Sequence, residues 1–401
     1  MASFRRLQDA DLFGKTALVR VDLNVPIQGG AVSDSTRLQR AKPTIDFLRK
    51  AGAKVVLLSH FGRPGGKEDL EFSLAPIVPA LEQVLGCSVQ FAKDCVGPLA
   101  QQAVTNMPDG GILLLENTRF HSGETANDPD MAKSIASFGD LFVSDAFSVV
   151  HRAHVSTVGI AKHLPAFAGL ALERELDHLD QALGNPVKPV LAVVGGAKVS
   201  TKIDLLQNLV KQVEMLCIGG GMANTFLFAQ GLSVGKSLCE PSLADTALAI
   251  MAGAQQSGCE ILLPSDVVVA KEFAANVPNI TKSANDVSSD EMILDAGPMA
   301  VTALIEAMGR AKTIIWNGPL GAFEFPPFDI ATAKAATAAA KLTKAGKLIS
   351  VAGGGDTIAA LNLVKAADDF TFISTAGGAF LEWMEGKELP GIACLIDQQK
   401  T

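Results

Sequence analysis

Ten short runs of almost unbroken valine, isoleucine and leucine recur along the chain, each followed by a polar or glycine-rich turn. In the first half they are ALVRVDL (17–23), KVVLLS (54–59), GILLLE (111–116) and LFVSD (141–145). In the second half they are VLAVVG (190–195), MLCIGG (215–220), EILLPS (260–265), TIIWNG (313–318), KLISVAG (347–353) and FTFIST (370–375). A strand that is apolar on both faces must be covered on both faces. Such strands alternating with helical stretches therefore predict parallel sheets sandwiched between helices. At 401 residues the chain exceeds one ordinary core, so two domains are expected. Between the halves, the middle of residues 164–189 reads as one helix, stopped by Gly184 and by prolines 186 and 189. The predicted fold class is α/β: two doubly wound parallel-sheet domains, 1–170 and 190–385, joined by a connector helix and hinge at 171–189.

Ligands of such sheets bind beyond the carboxyl ends of the strands, so the residues after each run carry the functional information. First-half runs lead into RVDLNVP, SHFGRPGG, LENTRFHSGE and SDAFSVVHRAH; second-half runs lead into GGAKVSTK, GGGMANT, NGPLGAFE, GGGDT and TAGGA. The asymmetry extends to the whole chain. Ten of the eleven arginines lie at or before Arg174, and all six histidines precede residue 180. One half is equipped for bidentate anion recognition and the other is not.

Bulk properties remove other classes. A net charge of −8 argues against nucleic acid as the main partner. Six scattered cysteines without a CxxC pair predict neither a metal knuckle nor a disulfide framework, and fit a reducing cytoplasm. No apolar run reaches the roughly 18 residues of a membrane span, and the first residues carry no apolar signal core, so no membrane association or export is expected.

Among the motifs, GLSVGKS (231–237) has one residue too few between its glycines for a P-loop and reads as a loop. No GxGxxG follows any run, which removes the main signal for a dinucleotide enzyme. HRAH (151–154) lacks the companion ligands a metal site needs. Lys198 and Lys202, four apart after two glycines, are expected on one face of the helix opening there, suited to a polyphosphate. Glu324, after the run 313–318, suits a ribose hydroxyl, although a surface glutamate is the ordinary alternative. VAGGGDTIAAL (351–361) looks like a phosphate cradle, with Gly353, Gly354 and Gly355 opening a helix, yet Asp356 puts a negative charge beside the anion. The first-half set is the stronger one: Asp22, Asn24, Arg37, His60, Arg63, Arg119 and Arg152. A single arginine is usually a surface residue, but several at one sheet edge repel each other unless an anion neutralises them. A small substrate with at least two negative groups is expected, with Asp22 and Asn24 available for a hydroxyl.

RVDLNVP, SHFGRP, LENTRF, SDAF…HRAH, GGAKVSTKI, GGGMANTF, WNGPLGAFE, GGGDT and LEWMEGKELPG, in this order over essentially the whole chain, resemble the signatures of the phosphoglycerate kinase family. The resemblance implies two Rossmann-like domains and reversible transfer of a phosphoryl group between 1,3-bisphosphoglycerate and ADP, giving 3-phosphoglycerate and ATP with Mg²⁺. It assigns Asp22, Asn24, Arg37, His60, Arg63, Arg119 and Arg152 to the acid substrate. It assigns Lys198, Lys202, Glu324 and the Gly353–Thr357 loop to the nucleotide, and Asp356 to the metal, whose hard charge needs a carboxylate oxygen. Arg37, Lys198 and Lys202 are the expected stabilisers of the transferring group. The tail 386–401 is expected to return to the first domain, the domains to close about the hinge, and the protein to act as a cytoplasmic monomer.

Three positions depart from the family pattern: Ser148 and Ala376 stand where glycine is usual, and Phe380 where serine is usual. Ala376 is expected at negative φ, because alanine in the left-handed region costs roughly 1–2 kcal/mol. Phe380 is expected to turn its ring into apolar packing. Two other readings stay open from sequence alone: a nicotinamide dehydrogenase, which would need the missing glycine fingerprint, and a two-domain anion- and nucleotide-binding protein without turnover.

Overall fold

The computed structural model of the protein describes residues 4–374 and 376–396. The chain divides into two compact units, one running to Asp177 and taking in the C-terminal segment from Glu388, the other spanning His178–Lys387.

All ten apolar runs form strands, five or fewer residues long, in two six-stranded parallel sheets. Across the first sheet the order is Gln90–Ala92, Ile112–Leu115, Lys54–Leu58, Thr16–Arg20, Leu141–Ser144 and Ala166–Ala168. Across the second it is Glu260–Leu262, Met215–Ile218, Val190–Val194, Thr313–Asn317, Ile349–Gly353 and Phe372–Ser374. Thr375, the last residue of the run 370–375, lies outside the described residues, as does the tail beyond 396. The second sheet reads 3-2-1-4-5-6 in chain order, so its direction reverses between Val190–Val194 and Thr313–Asn317. That reversal opens a crevice at the carboxyl ends of those two strands. In the first sheet the corresponding place lies between Thr16–Arg20 and Leu141–Ser144.

Some elements go beyond the expected pattern. Two short edge strands, Gln90–Ala92 and Ala166–Ala168, widen the first sheet. A three-stranded antiparallel sheet, Asn279–Ser283, Asp266–Ala270 and Met292–Ala296, is added to the second unit. The connector helix is Leu170–Leu179, continued by an irregular turn to Gly184. Its start is held by Asp145, whose Oδ1 accepts from the amides of Ala171 at 2.9 Å and Leu172 at 3.2 Å.

The helix Thr36–Lys50 shows how sequence positions the site. Leu38, Ala41, Ile45 and Leu48 recur at three- and four-residue spacing and are all buried, packing in the same core as strand residues Val55 and Leu57. Asp34 Oδ1 accepts from the Thr36 amide at 2.8 Å, satisfying one orphan donor at the helix start. Register and cap together leave Arg37 in the first turn, beside Asp22. In the second unit, alanines 331, 335, 336 and 339 make a small-residue stripe on Ile330–Lys344 that shares its core with Trp316 and the helix Pro298–Arg310.

Asp295, at the end of Met292–Ala296, is buried and accepts from the amides of Ala296 at 3.0 Å and Ala331 at 2.9 Å. Burial nevertheless raises its carboxyl from 3.8 to about 8, outweighing both amides. A carboxyl raised in the folded state favours folding fully below its unfolded value and loses that contribution as pH climbs towards about 8. We expect Asp295→Asn to lose stability at pH 5 and to recover relative to the parent by pH 9, by up to about 1.4 kcal/mol per pH unit in that window. Urea unfolding across the range checks it; parallel stability curves for the two proteins would contradict the assignment.

Candidate active site

The turn after Thr16–Arg20 is organised around Asp22. Its Oδ2 accepts from Arg37 Nη1 at 2.6 Å and from Ser148 Oγ at 2.6 Å, and its Oδ1 accepts from the Asn24 amide at 3.0 Å. The serine at 148 thus adds a hydrogen bond to Asp22. Asn24 Oδ1 in turn accepts from the Gly62 amide at 3.0 Å, which fixes the SHFGRP turn at a residue with φ +57°. Asn117, fully buried, joins this turn to the next. Its Oδ1 accepts from the amides of Phe61 and Arg119, and its Nδ2 donates to the Phe61 and Phe72 carbonyls at 2.7 and 2.9 Å.

Arg63, Arg119 and Arg152, together with His121, Ser122 and His154, line a cavity of about 520 Å³ in this unit. Arg119 Nη1 donates to the Gly62 carbonyl at 2.7 Å. Its guanidinium is lowered to about 10, first by burial, then by Arg152 and Arg20. Like charges held this close need an anion, so the cavity is built to take one. Asp22, Asn24 and Arg37 form a separate hydrogen-bonded cluster and are not part of its lining. His60 is buried and joins the arginines through Arg20.

In the second unit the crevice lies where Gly195 and Gly318 follow their strands. A Cβ on Gly195 would overlap the Pro319 carbonyl, and one on Gly318 would overlap the Gly195 carbonyl, so both backbones must be bare. Asn317 ties this crevice together. Its Oδ1 accepts from Lys202 Nζ at 2.6 Å and its Nδ2 donates to the Gly353 carbonyl at 2.9 Å. Lys202 Nζ also donates to the Gly195 carbonyl at 2.7 Å. Burial lowers this amine to about 8, with nearby Asp356 working in the opposite direction. Thr357 Oγ1 accepts from the Gly318 amide at 2.7 Å. Glu324 and Asp356 line a cavity of about 590 Å³ with Gly196, Gly220, Phe273 and Leu238.

One expectation fails here. Lys198 and Lys202 do not share a helix face, because the helix begins only at Ile203. Gly196 sits at φ +134° and Lys198 is extended, with φ −134° and ψ 133°. Lys202 folds back onto Gly195 and Asn317 while Lys198 stays exposed. Asp356 does stand in the first turn of a helix, Gly355–Leu363. Ala376 has φ −99°, as expected, and Phe380 is fully buried against Trp383, with ring centroids 6.2 Å apart. A Cβ on Gly353 would lie 2.5 Å from the Phe380 ring, so this phenylalanine packs directly on the glycine turn.

Arg20, Asn117 and Asn317 belong to these sites and were not among the candidates. Their available signal was position: a polar side chain in, or just after, an otherwise apolar strand run.

Two doubly wound units, one with an arginine-lined anion cavity and the other with a glycine-lined crevice, a buried lysine and a helix-start carboxylate, define a two-domain phosphotransferase. The chain matches the family described as phosphoglycerate kinase over residues 7–387 and belongs to that family. It is 60% identical over 393 residues to the phosphoglycerate kinase of Caulobacter vibrioides, covering 98% of this chain and 99% of that one. With the Agrobacterium fabrum enzyme it shares 59% over 396 residues, covering 98% and 99%. The solved structure of phosphoglycerate kinase from Coxiella burnetii superposes with a TM-score of 0.92 at 42% identity, covering 98% of this chain and 99% of that one. That from Pyrococcus horikoshii gives 0.80 at 29%, covering 98% of each. The protein is a kinase, a phosphotransferase with a carboxyl group as acceptor. Neither the dehydrogenase nor the non-catalytic reading is favoured.

Proposed function

We propose that the first unit binds 3-phosphoglycerate or 1,3-bisphosphoglycerate through Arg63, Arg119, Arg152 and His60, with Asp22, Asn24 and Arg37 addressing the hydroxyl and the reacting end. The observation that carries this reading is the crowding of Arg63, Arg119 and Arg152 around one cavity, with Arg119 pulled down to about 10. The second unit holds ATP or ADP. Lys202, Lys198 and the amides of Gly353, Gly354, Gly355, Asp356 and Thr357 serve its phosphates, and Glu324 serves its ribose. In the ATP-consuming direction the nucleophile is the substrate carboxylate, ionised at neutral pH because its pKa is about 4. No general base is required, which agrees with a nucleotide unit lacking histidines beyond His178. Catalysis is then positioning plus neutralisation of charge by Arg37, Lys198 and Lys202 as the phosphoryl group passes between two oxygens. Because the two substrates are assigned to different units, transfer requires closure about the connector.

The donor chemistry of the second cavity suits Mg²⁺: Asp356 is an exposed carboxylate at its wall, and hard cations take oxygen ligands. Asp356 would hold the ion, which would supply charge neutralisation at the phosphates. Among the described residues no helix is long and apolar enough to cross a membrane, and the six cysteines are free thiols. Both features agree with a cytoplasmic enzyme, and we assign it as a monomer.

If Asp356 serves the metal, Asp356→Asn raises the Mg²⁺ concentration needed for half-maximal turnover while 3-phosphoglycerate affinity stays parental. Mg²⁺ titrations at saturating 3-phosphoglycerate check this. Equal loss of both affinities would assign Asp356 a structural role at the start of Gly355–Leu363 instead.

A further inference from the structure

Arg20 is the second-largest fully buried side chain of the protein, and no step of the reaction calls for it. Its Nη1 donates to the Val21 carbonyl, its Nε donates to Ser156 Oγ at 3.0 Å, and its Nη2 lies 2.8 Å from His60 Nδ1. A guanidinium has five donors, no acceptor, and stays protonated in proteins. The bond at 2.8 Å therefore runs in one direction only, from Arg20 to a bare Nδ1 on His60. The proton of a neutral His60 must sit on Nε2.

We propose that Arg20 is a positioning residue that locks His60 as the neutral Nε2–H tautomer, turning it into a fixed hydrogen-bond donor rather than a titrating cation. His154, which lines the arginine cavity, lies in the same surroundings. The surroundings keep both rings uncharged. Burial comes first for each, and His60 then faces Arg20, Arg119, Arg152 and Arg37, while His154 faces Arg119, Arg152, Arg20 and His151. The acids nearby do not reverse this. Glu124 is 3.8 Å from His154 Nδ1, but it is already engaged by the Ser156 amide and hydroxyl. Its charge, with that of Asp22, offsets the buried Arg20. The result is His60 held well below its ordinary value and His154 lowered to about 4.

The functional consequence rests on the assignment of this unit to the acid substrate. Two neutral N–H donors beside three arginines mean that neither His60 nor His154 adds a charge that varies across physiological pH, although His121, paired with Asp94, also lines the cavity. The contribution of these two rings to binding a doubly charged phosphate then follows the ligand's own second ionisation, near pH 6. Without the lock, His60 has no fixed donor, and the affinity for 3-phosphoglycerate falls roughly tenfold, the size of one hydrogen bond to a charged group.

The direct test is long-range ¹H–¹⁵N correlation of the ring nitrogens in the ligand-free full chain, labelled at histidine, between pH 5.5 and 8. His60 and His154 are assigned from His60→Gln and His154→Gln spectra. The expected result is one bare and one protonated nitrogen for each, with the proton of His60 on Nε2 and no titration in this range. A His60 with its proton on Nδ1, or titrating near 6.5, would overturn the proposal. In Arg20→Met, if it folds, His60 should lose its single tautomer. If it does not fold, the parental spectrum alone still decides. Because this measurement uses no substrate, it stands or falls separately from the substrate assignment, which a 3-phosphoglycerate titration of the parental protein tests.

Discussion

Replacing Arg37 with alanine is expected to lower turnover by roughly 10²- to 10³-fold while nucleotide affinity stays parental. The side chain sits in the first turn of Thr36–Lys50, with Nη1 at 2.6 Å from Asp22 Oδ2. Asp22 keeps its bonds to Ser148 and to the Asn24 amide without it, so the turn should survive the substitution. What disappears is a positive charge available to the reacting end of the substrate, worth several kcal/mol in a transition state. Nothing in the second unit's crevice depends on Arg37, which is why ATP binding should not change. Steady-state kinetics with both substrates varied separate the two effects. Unchanged turnover would remove Arg37 from the reacting centre.

The second large effect concerns folding. Gly195→Ala would drive a methyl into the Pro319 carbonyl, at the point where two central strands of the second sheet deliver their turns. Neither backbone can retreat easily: Gly195 is bonded through its amide to Asn317, and Gly318 through its amide to Thr357. Overpacking of this kind costs about 1–3 kcal/mol, and more where the contact is to backbone on both sides. Gly309→Ala provides the contrast. That glycine lies in the helix Pro298–Arg310 with nothing within 4 Å of an added Cβ, so alanine should stabilise by up to about 1 kcal/mol. Urea unfolding of both variants reads the two signs. A Gly195→Ala protein as stable as the parent would show that the crevice is looser than its geometry states.

What the sequence could reveal depended on how strongly burial constrained each segment. Strands covered on both faces, such as VVLL (55–58) and LAVV (191–194), tolerate little but large apolar residues and so were legible. The edge strands are three residues long, Gln90–Ala92 pairing on one side and Ala166–Ala168 having only a single bridge to Arg6 on its outer side, which leaves almost no pattern. The antiparallel sheet was missed for a different reason. Asp266–Ala270 is as apolar as any of the ten runs, but it begins four residues after Leu262, too close for the helical crossover that a parallel neighbour needs. Its partner Asn279–Ser283 is largely exposed and carries no apolar run at all.

The site shows the same division. Arginines and glycines concentrated after strand ends were readable because each costs the fold something unless a ligand justifies it. The placement of Lys198 and Lys202 was not, because Gly196 adopts φ +134° and Asn317, distant in sequence, captures the Lys202 amine. Arg20 looked like one polar residue in an apolar strand. Its role depends on His60 and Ser156, which arrive from two other segments. Tertiary partners of this kind leave no local trace.

The most direct measurement is a coupled assay in which the purified protein receives ATP, Mg²⁺ and 3-phosphoglycerate, and a dehydrogenase consumes the acyl phosphate formed. Nucleotide oxidation that requires all three components, and that Arg37→Ala abolishes almost completely, is the predicted result. Saturable binding of ATP and 3-phosphoglycerate with no acyl phosphate formed would contradict the account and leave a binding protein in place of a kinase.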